Sequence, residues 1–243
     1  MGRFRAKAVL TLAVVFGAGL AVASATFGQR LIILLPPDLQ LAYTARPVPV
    51  PAPSEGRVPV GLRLAASIST EDGSHPPAAT ELKFKLDRQM RIVLADAPRC
   101  PSGSHFDVRT GKSPCETVRL ASGRSRWEVA FPGQQPLQVT GRTIAYKIGP
   151  RKMAFWTYLS APVTAEILIP VELKRAPGES VYGTWATASI PKVAGGSGSL
   201  LHLGLRFREG LFSLACSKRR LQSGLDIRFV DGRRLYIASI VNC

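Results

Sequence analysis

From Val60 to the C-terminus apolar and polar residues alternate with a period of two, and no long stretch carries the 3.6-residue rhythm of an amphipathic helix. The clearest run is Val163 to Lys174. There Val163, Ala165, Ile167, Ile169, Val171 and Leu173 share one face, while Thr164, Glu166, Glu172 and Lys174 share the other. Pro170 falls on the outward face and has no N–H to give a ladder, which predicts an edge strand or a bulge at that point. Similar alternation recurs at Leu82, Phe84 and Leu86; at Trp127, Val129 and Phe131; and at Leu201, Leu203, Leu205 and Phe207. Near the C-terminus Leu225, Ile227 and Phe229 precede Asp231-Gly232, a two-residue hairpin signal, and Leu235, Ile237 and Val241 follow it. These strands, divided by Gly, Pro and Asp/Ser turns, predict an all-β chain: an antiparallel β-sandwich or two stacked Greek-key halves.

The N-terminus breaks this pattern. Arg3, Arg5 and Lys7 lead into an apolar stretch from Ala8 to Val22, and Ala23, Ser24 and Ala25 supply the small residues that a signal peptidase accepts. Residues 1–25 are therefore expected to be an export signal helix, with the mature chain starting at Thr26. The rival, an uncleaved anchor, meets an apolar stretch short of the ~20 residues that span a bilayer and an interruption at Arg30. Residues 26–59 include the proline-rich run RPVPVPAPSEGRVP and read as an extended linker. The expected organisation is completed by sandwich halves at 60–160 and 161–243. ELKFKLDRQMRIVLADAPRC before Cys100 and LHLGLRFREGLFSLAC before Cys216 echo one another faintly, as two related halves would.

Export changes what the charge means. The formal net charge of +16 falls to +13 once the three basic residues of the signal are set aside, and the chain stays strongly basic. The arginine excess over lysine, with Asn242 as the only asparagine, fits a high-GC genome and discounts arginine richness by itself. The surplus positive charge remains, and an exported chain meets anionic cell-wall polymers or a membrane surface rather than nucleic acid. An extracytoplasmic, envelope-associated or secreted location follows. Cys100, Cys115, Cys216 and Cys243 are an even set in an oxidising compartment, and proximity favours Cys100 with Cys115 and Cys216 with Cys243.

Catalytic and cofactor signatures are absent from the sequence. No C-x-x-C pair accompanies His75, His105 and His202, which are scattered, so neither a metal nor another cofactor is assigned. Arg109-Thr110-Gly111-Lys112-Ser113 looks like a phosphate-binding loop, but Phe106 stands where the pattern needs glycine. The AGGSGSL run at 194–200 lacks the spacing of a nucleophile elbow, and no catalytic residue is assigned. Glu166 and Glu172 lie roughly 20 Å apart along one strand, too far for glycosidase geometry. A hydrolase with a dispersed site stays as an alternative to a binding module.

Two surfaces stand out for binding. Lys152, Trp156 and Tyr158 share one strand face and form a candidate surface for glycan or lipid, the competing reading being burial beneath a loop. Lys218, Arg219 and Arg220, with Arg233 and Arg234 across the last hairpin, form a candidate anion patch, if the hairpin places both clusters at neighbouring sheet ends.

With PPAATELKFKLDRQMRIVLADAPRC, Cys115, YGTWATASIPK, LHLGLRFREG and FVDGRRL in view, the chain resembles a family of uncharacterised exported all-β proteins of high-GC actinobacteria, over about Val60 to Cys243. The resemblance implies export, paired cysteines and a β-rich fold, and carries no catalytic residue across.

Overall fold

Alternation sorts nearly every strand into an inward apolar row and an outward polar row, and the inward rows meet in one core. The computed structural model describes residues 30–34, 38–49, 56–101, 107, 110–131, 133–160, 164–178, 180–217 and 220–242. The strands are β1 (Arg30–Leu34), β2 (Leu39–Val48), β3 (Val58–Thr70), β4 (Ala79–Asp87), β5 (Met90–Ile92), β6 (Ala121–Val129), β7 (Leu137–Gly149), β8 (Lys152–Leu159), β9 (Ala165–Arg175), β10 (Tyr182–Ser189), β11 (Gly198–Leu214), β12 (Arg220–Phe229) and β13 (Arg234–Asn242). A 3₁₀ turn, Val193–Gly196, precedes β11. The chain is all-β among the described residues.

All of these strands join one 13-stranded antiparallel sheet in the order β1-β13-β12-β4-β10-β9-β8-β7-β6-β11-β3-β2, with β5 paired to β11 off this path. The sheet curls until β2 returns beside β13 and nearly closes a barrel. An Arg233–Asp38 ion pair lies at that seam. The strands of residues 60–160 and 161–243 interleave: β4 sits between β10 and β12, and β11 between β3 and β6. The expected boundary between residues 160 and 161 falls between β8 and β9, which pair directly.

Pairing also begins earlier than Val60. Leu39, Leu41, Tyr43 and Ala45 alternate inward on β2, which pairs with β3 from Leu39↔Thr70 to Val48↔Gly61. Thus β1 and β2 lie within the stretch expected as linker. The signal segment 1–25 and residues 50–55 of the proline-rich run lie outside the described residues.

Two local expectations acquire detail. The Asp231-Gly232 hairpin forms, but with a three-residue loop. Gly232 N–H donates to Phe229 O and Phe229 N–H to Arg233 O, with Gly232 at φ +85°, a left-handed position that suits glycine. On β9, Leu173 N–H donates to Arg151 O, so odd-numbered N–H groups face β8 and Pro170 faces the β10 side. The β10 ladder stops at Val171↔Ala188. Pro170 therefore sits at a local edge of an otherwise internal strand.

Trp127 is core, as its alternation predicts, and its indole donates to Ser125 Oγ at 3.0 Å. Ser125, Thr143 and Thr157 continue as a hydrogen-bonded row across β6, β7 and β8, which satisfies the polar groups buried there.

Candidate functional site

Between β5 and β6 the chain first lends Leu94 and Ala97 to the main core, and then Cys100, Gly111 and Cys115 lie over the outer face of β7 and β8. Lys147 fastens this segment by donating to Ala95 O at 2.7 Å and Ala97 O at 2.9 Å. The Cys100–Cys115 disulfide, with Cα atoms 5.3 Å apart, joins Ile144, Tyr146, Ala154 and Trp156 in a second small core. Trp156 is consequently 0% exposed, and its indole donates to Glu166 Oε2 at 3.1 Å. Tyr158 stacks on Trp156 with ring centroids 6.0 Å apart and is half-buried beneath Gly111. Lys152 is exposed at the other end of β8, opposite Glu172. The three residues do not form a common open surface, because the disulfide loop roofs the two aromatic ones.

The described members of the C-terminal basic clusters are likewise separated. Arg220 pairs with Asn242 at one end of the β12–β13 hairpin and Arg228 with Arg234 at the other. Eight residues of strand put roughly 26 Å between the two ends. Antiparallel pairing sets the start of β12 against the end of β13, so Arg220 stands at the far end of the hairpin from Arg233 and Arg234. Arg233 is bound to Asp231 and Asp38, and Arg234 holds Asp226 through both carboxylate oxygens. Lys218 and Arg219 lie outside the described residues, as does Cys243; Cys216 is buried and disulfide-bonded.

Cationic side chains concentrate on another wall, the outer face of β2, β3, β11, β6 and β7. Arg46 on β2 stands opposite Arg63 on β3, and Arg63 opposite Arg206 on β11. Two residues along, Arg124 on β6 faces Arg142 on β7. Arg126 and Arg208 extend the same outward rows, and all seven are exposed. Strands lie about 4.8 Å apart, so the first three guanidinium groups stem from a row of backbone roughly 10 Å long. Like charges directly opposite one another destabilise a sheet. Among the described residues no carboxylate pairs with Arg46, Arg63, Arg124, Arg126, Arg206 or Arg208; Glu116 binds Arg142 and Arg119.

The wall of β4, β12 and β13 is built differently. Lys85 lies 3.2 Å from Asp226, which Arg234 also holds, and Glu81 sits between Lys83 and Arg228. Lys83 lies over the Trp185 ring and Lys85 over the Tyr236 ring, at 5.4 and 4.5 Å. Charge is compensated on one wall, whereas on the other only Arg142 of the seven arginines has a carboxylate partner among the described residues. Period-two reading identifies each arginine as outward-facing. Only the register between strands brings Arg46, Arg63 and Arg206 into one row.

The structure also gives partners to histidines that look isolated in the sequence. His75 Nδ1 lies 2.8 Å from Glu128 Oε1, and His75 Nε2 lies 3.1 Å from Ser199 Oγ. Gln138 donates to the second oxygen of Glu128 at 3.0 Å. This is the connectivity of a Ser-His-acid triad, assembled from β11, the 71–78 loop and β6. Ser199 is nevertheless 0% exposed and its hydroxyl donates to Pro76 O. With its proton directed to Pro76 O, Ser199 does not offer it to His75 Nε2. In this state the three residues clip the loop to the sheet. His202 shares a 2.8 Å hydrogen bond with Ser67, while His105 lies outside the described residues.

Compared with known proteins, the chain matches no family model, no curated protein and no solved structure.

Proposed function

We propose that this protein is an exported, envelope-associated, non-enzymatic β module of the actinobacterial kind that its sequence resembles, and that it binds anionic cell-wall polymers. The observation that carries the reading is the uncompensated arginine row Arg46–Arg63–Arg206, continued by Arg124 and Arg126. Three directly registered cations oppose folding, and an exposed row of this kind makes physical sense when a polyanion neutralises it. Guanidinium groups suit this task because each presents a planar fork to phosphate or carboxylate. The barrel is read as flattened, with its walls packed like sandwich layers. Supporting that, only Arg88 and Gln89 separate β4 from β5, yet β5 pairs with β11 six places away in the strand order.

Retention on isolated cell walls across a sodium chloride series tests the polymer reading. Retention should be strong at low salt, fall as salt rises, and drop at least fivefold in Arg63→Gln/Arg206→Gln. Retention that ignores salt, or none at low salt, overturns it. Export has its own check: the intact mass of the secreted protein should start at Thr26 and show no free thiol.

A second reading, ester or amide hydrolysis, is favoured by the Ser199–His75–Glu128 chain alone. It requires the Pro76 carbonyl to withdraw so that the Ser199 proton turns to His75 Nε2. A fluorophosphonate probe decides: labelling at Ser199 that disappears in His75→Ala supports a hydrolase, and an unlabelled Ser199 leaves the clip.

A further inference from the structure

The barrel end at which β7 turns into β8 carries a cleft of about 860 Å³. Its cations come from separate elements: Arg88 and Arg91 flank the start of β5, Arg151 lies in the β7–β8 turn, and Lys174 and Arg175 end β9. Among the described residues no carboxylate lines it. Lys174 is already paired with Glu172 at 2.9 Å, and Arg88 donates to Ser180 O. Arg91, Arg151 and Arg175 are exposed and have no carboxylate partner among the described residues. The floor beneath them is apolar, formed in part by Met90, Leu94 and Leu173. Behind Arg91, Arg57 donates to Gln89 O and Ser213 O, both at 3.0 Å; burial and then the Arg91 charge hold its pKa below the usual arginine value. A further cation therefore adds to the positive field of the cleft.

We propose that this cleft binds a phosphomonoester or pyrophosphate group, with Arg91, Arg151 and Arg175 as its ligands. The volume falls within the range of small-molecule sites, roughly 300–1,000 Å³. Three guanidinium forks supplied to one cleft by three elements match the several oxygens of a doubly charged phosphate, whereas a single carboxylate would leave cations uncompensated. The apolar floor accommodates the body that carries the phosphate. The site is separate from the arginine wall: a long polymer suits the extended wall, and a compact headgroup suits the cleft. The same chemistry is supplied by a phosphorylated solute or by a lipid headgroup.

The test uses the mature chain with two probes. Inorganic pyrophosphate is titrated by calorimetry in low salt, and sedimentation compares phosphatidylcholine vesicles with vesicles containing one-fifth phosphatidic acid. Arg151→Gln/Arg175→Gln should weaken binding of the responding probe at least tenfold, while Arg63→Gln/Arg206→Gln on the wall should change it less than twofold. Both variants replace exposed side chains, and unchanged thermal unfolding verifies that they fold. Binding of pyrophosphate assigns a soluble ligand, and binding of phosphatidic acid vesicles alone assigns a lipid headgroup. Either outcome supports the site. Saturable binding of neither probe, or equal weakening by the wall variant, overturns it and leaves the polymer reading to its own experiment.

Discussion

Asp226 shows how a single carboxylate decides the character of a wall. Its side chain is 3% exposed, and burial pushes its pKa up, but the hydrogen bond from Arg234 and the charge of Lys85 outweigh burial and hold it below the usual value. A carboxyl depressed in this way stabilises the fold above the unfolded aspartate value of about 3.9, and that contribution is lost as pH falls through the folded value. Asp226→Asn should cost about 3 kcal/mol at pH 7, because Lys85 and Arg234 lose their shared counter-charge. Urea unfolding should show the gap between wild type and variant narrowing at pH 3. A gap that does not change with pH would mean that Asp226 contributes by packing alone. The parity of Asp226 predicts only an outward residue. Its burial comes from Tyr236 and the long stems of Lys85 and Arg234, which no local pattern announces. His75, Glu128 and Ser199 pose the same difficulty, because a turn and two strands far apart in sequence meet only when the sheet has formed.

Among the elements, the disulfide loop has the clearest consequence. Closing a loop of this size contributes roughly 3 kcal/mol on the chain-entropy model, and here it also holds the roof over Trp156. Cys100→Ser/Cys115→Ser should lower stability by about that amount and increase acrylamide quenching of Trp156 fluorescence, read in a Trp127→Phe/Trp185→Phe background. Gly111 sits at φ +66°, and a Cβ there would press on the Tyr158 ring at 2.6 Å. Gly111→Ala should loosen the same roof without touching the disulfide, and the quenching assay reads that too. The alternation of β9, the Asp231-Gly232 hairpin and the Cys100–Cys115 pairing are legible in the sequence because each is encoded within a few residues. The sheet order is not. β2 escaped the alternation-based reading because the prolines at 47, 49, 51 and 53 point to a spacer, while Leu39, Leu41, Tyr43 and Ala45 before them carry the strand.

Across the molecule the barrel is apolar within and charged without, the reverse of a barrel that faces lipid. Its ends also differ. Arg57, Arg88, Arg91, Arg151, Arg175 and Arg220 gather where β3 and β12 begin, whereas Asp38, Glu71, Asp72 and Asp231 occupy the opposite end. If net charge alone draws the protein to polyanions, any three arginines are equivalent; if placement governs, they are not. Arg46→Gln/Arg63→Gln/Arg206→Gln and Arg228→Gln/Arg233→Gln/Arg234→Gln remove the same formal charge, but the second set is already matched by Glu81, Asp231, Asp38 and Asp226. Each unpaired arginine that displaces a counterion from a linear polyanion contributes roughly one to the slope of log K against log salt. On polyphosphate the wall variant should therefore lose roughly two to three from that slope, and the second variant less than one. Equal losses would make net charge the governing quantity and remove any special role for the row. An intact slope in the second variant, beside a flattened one in the first, would place binding on the wall where register sets three arginines side by side.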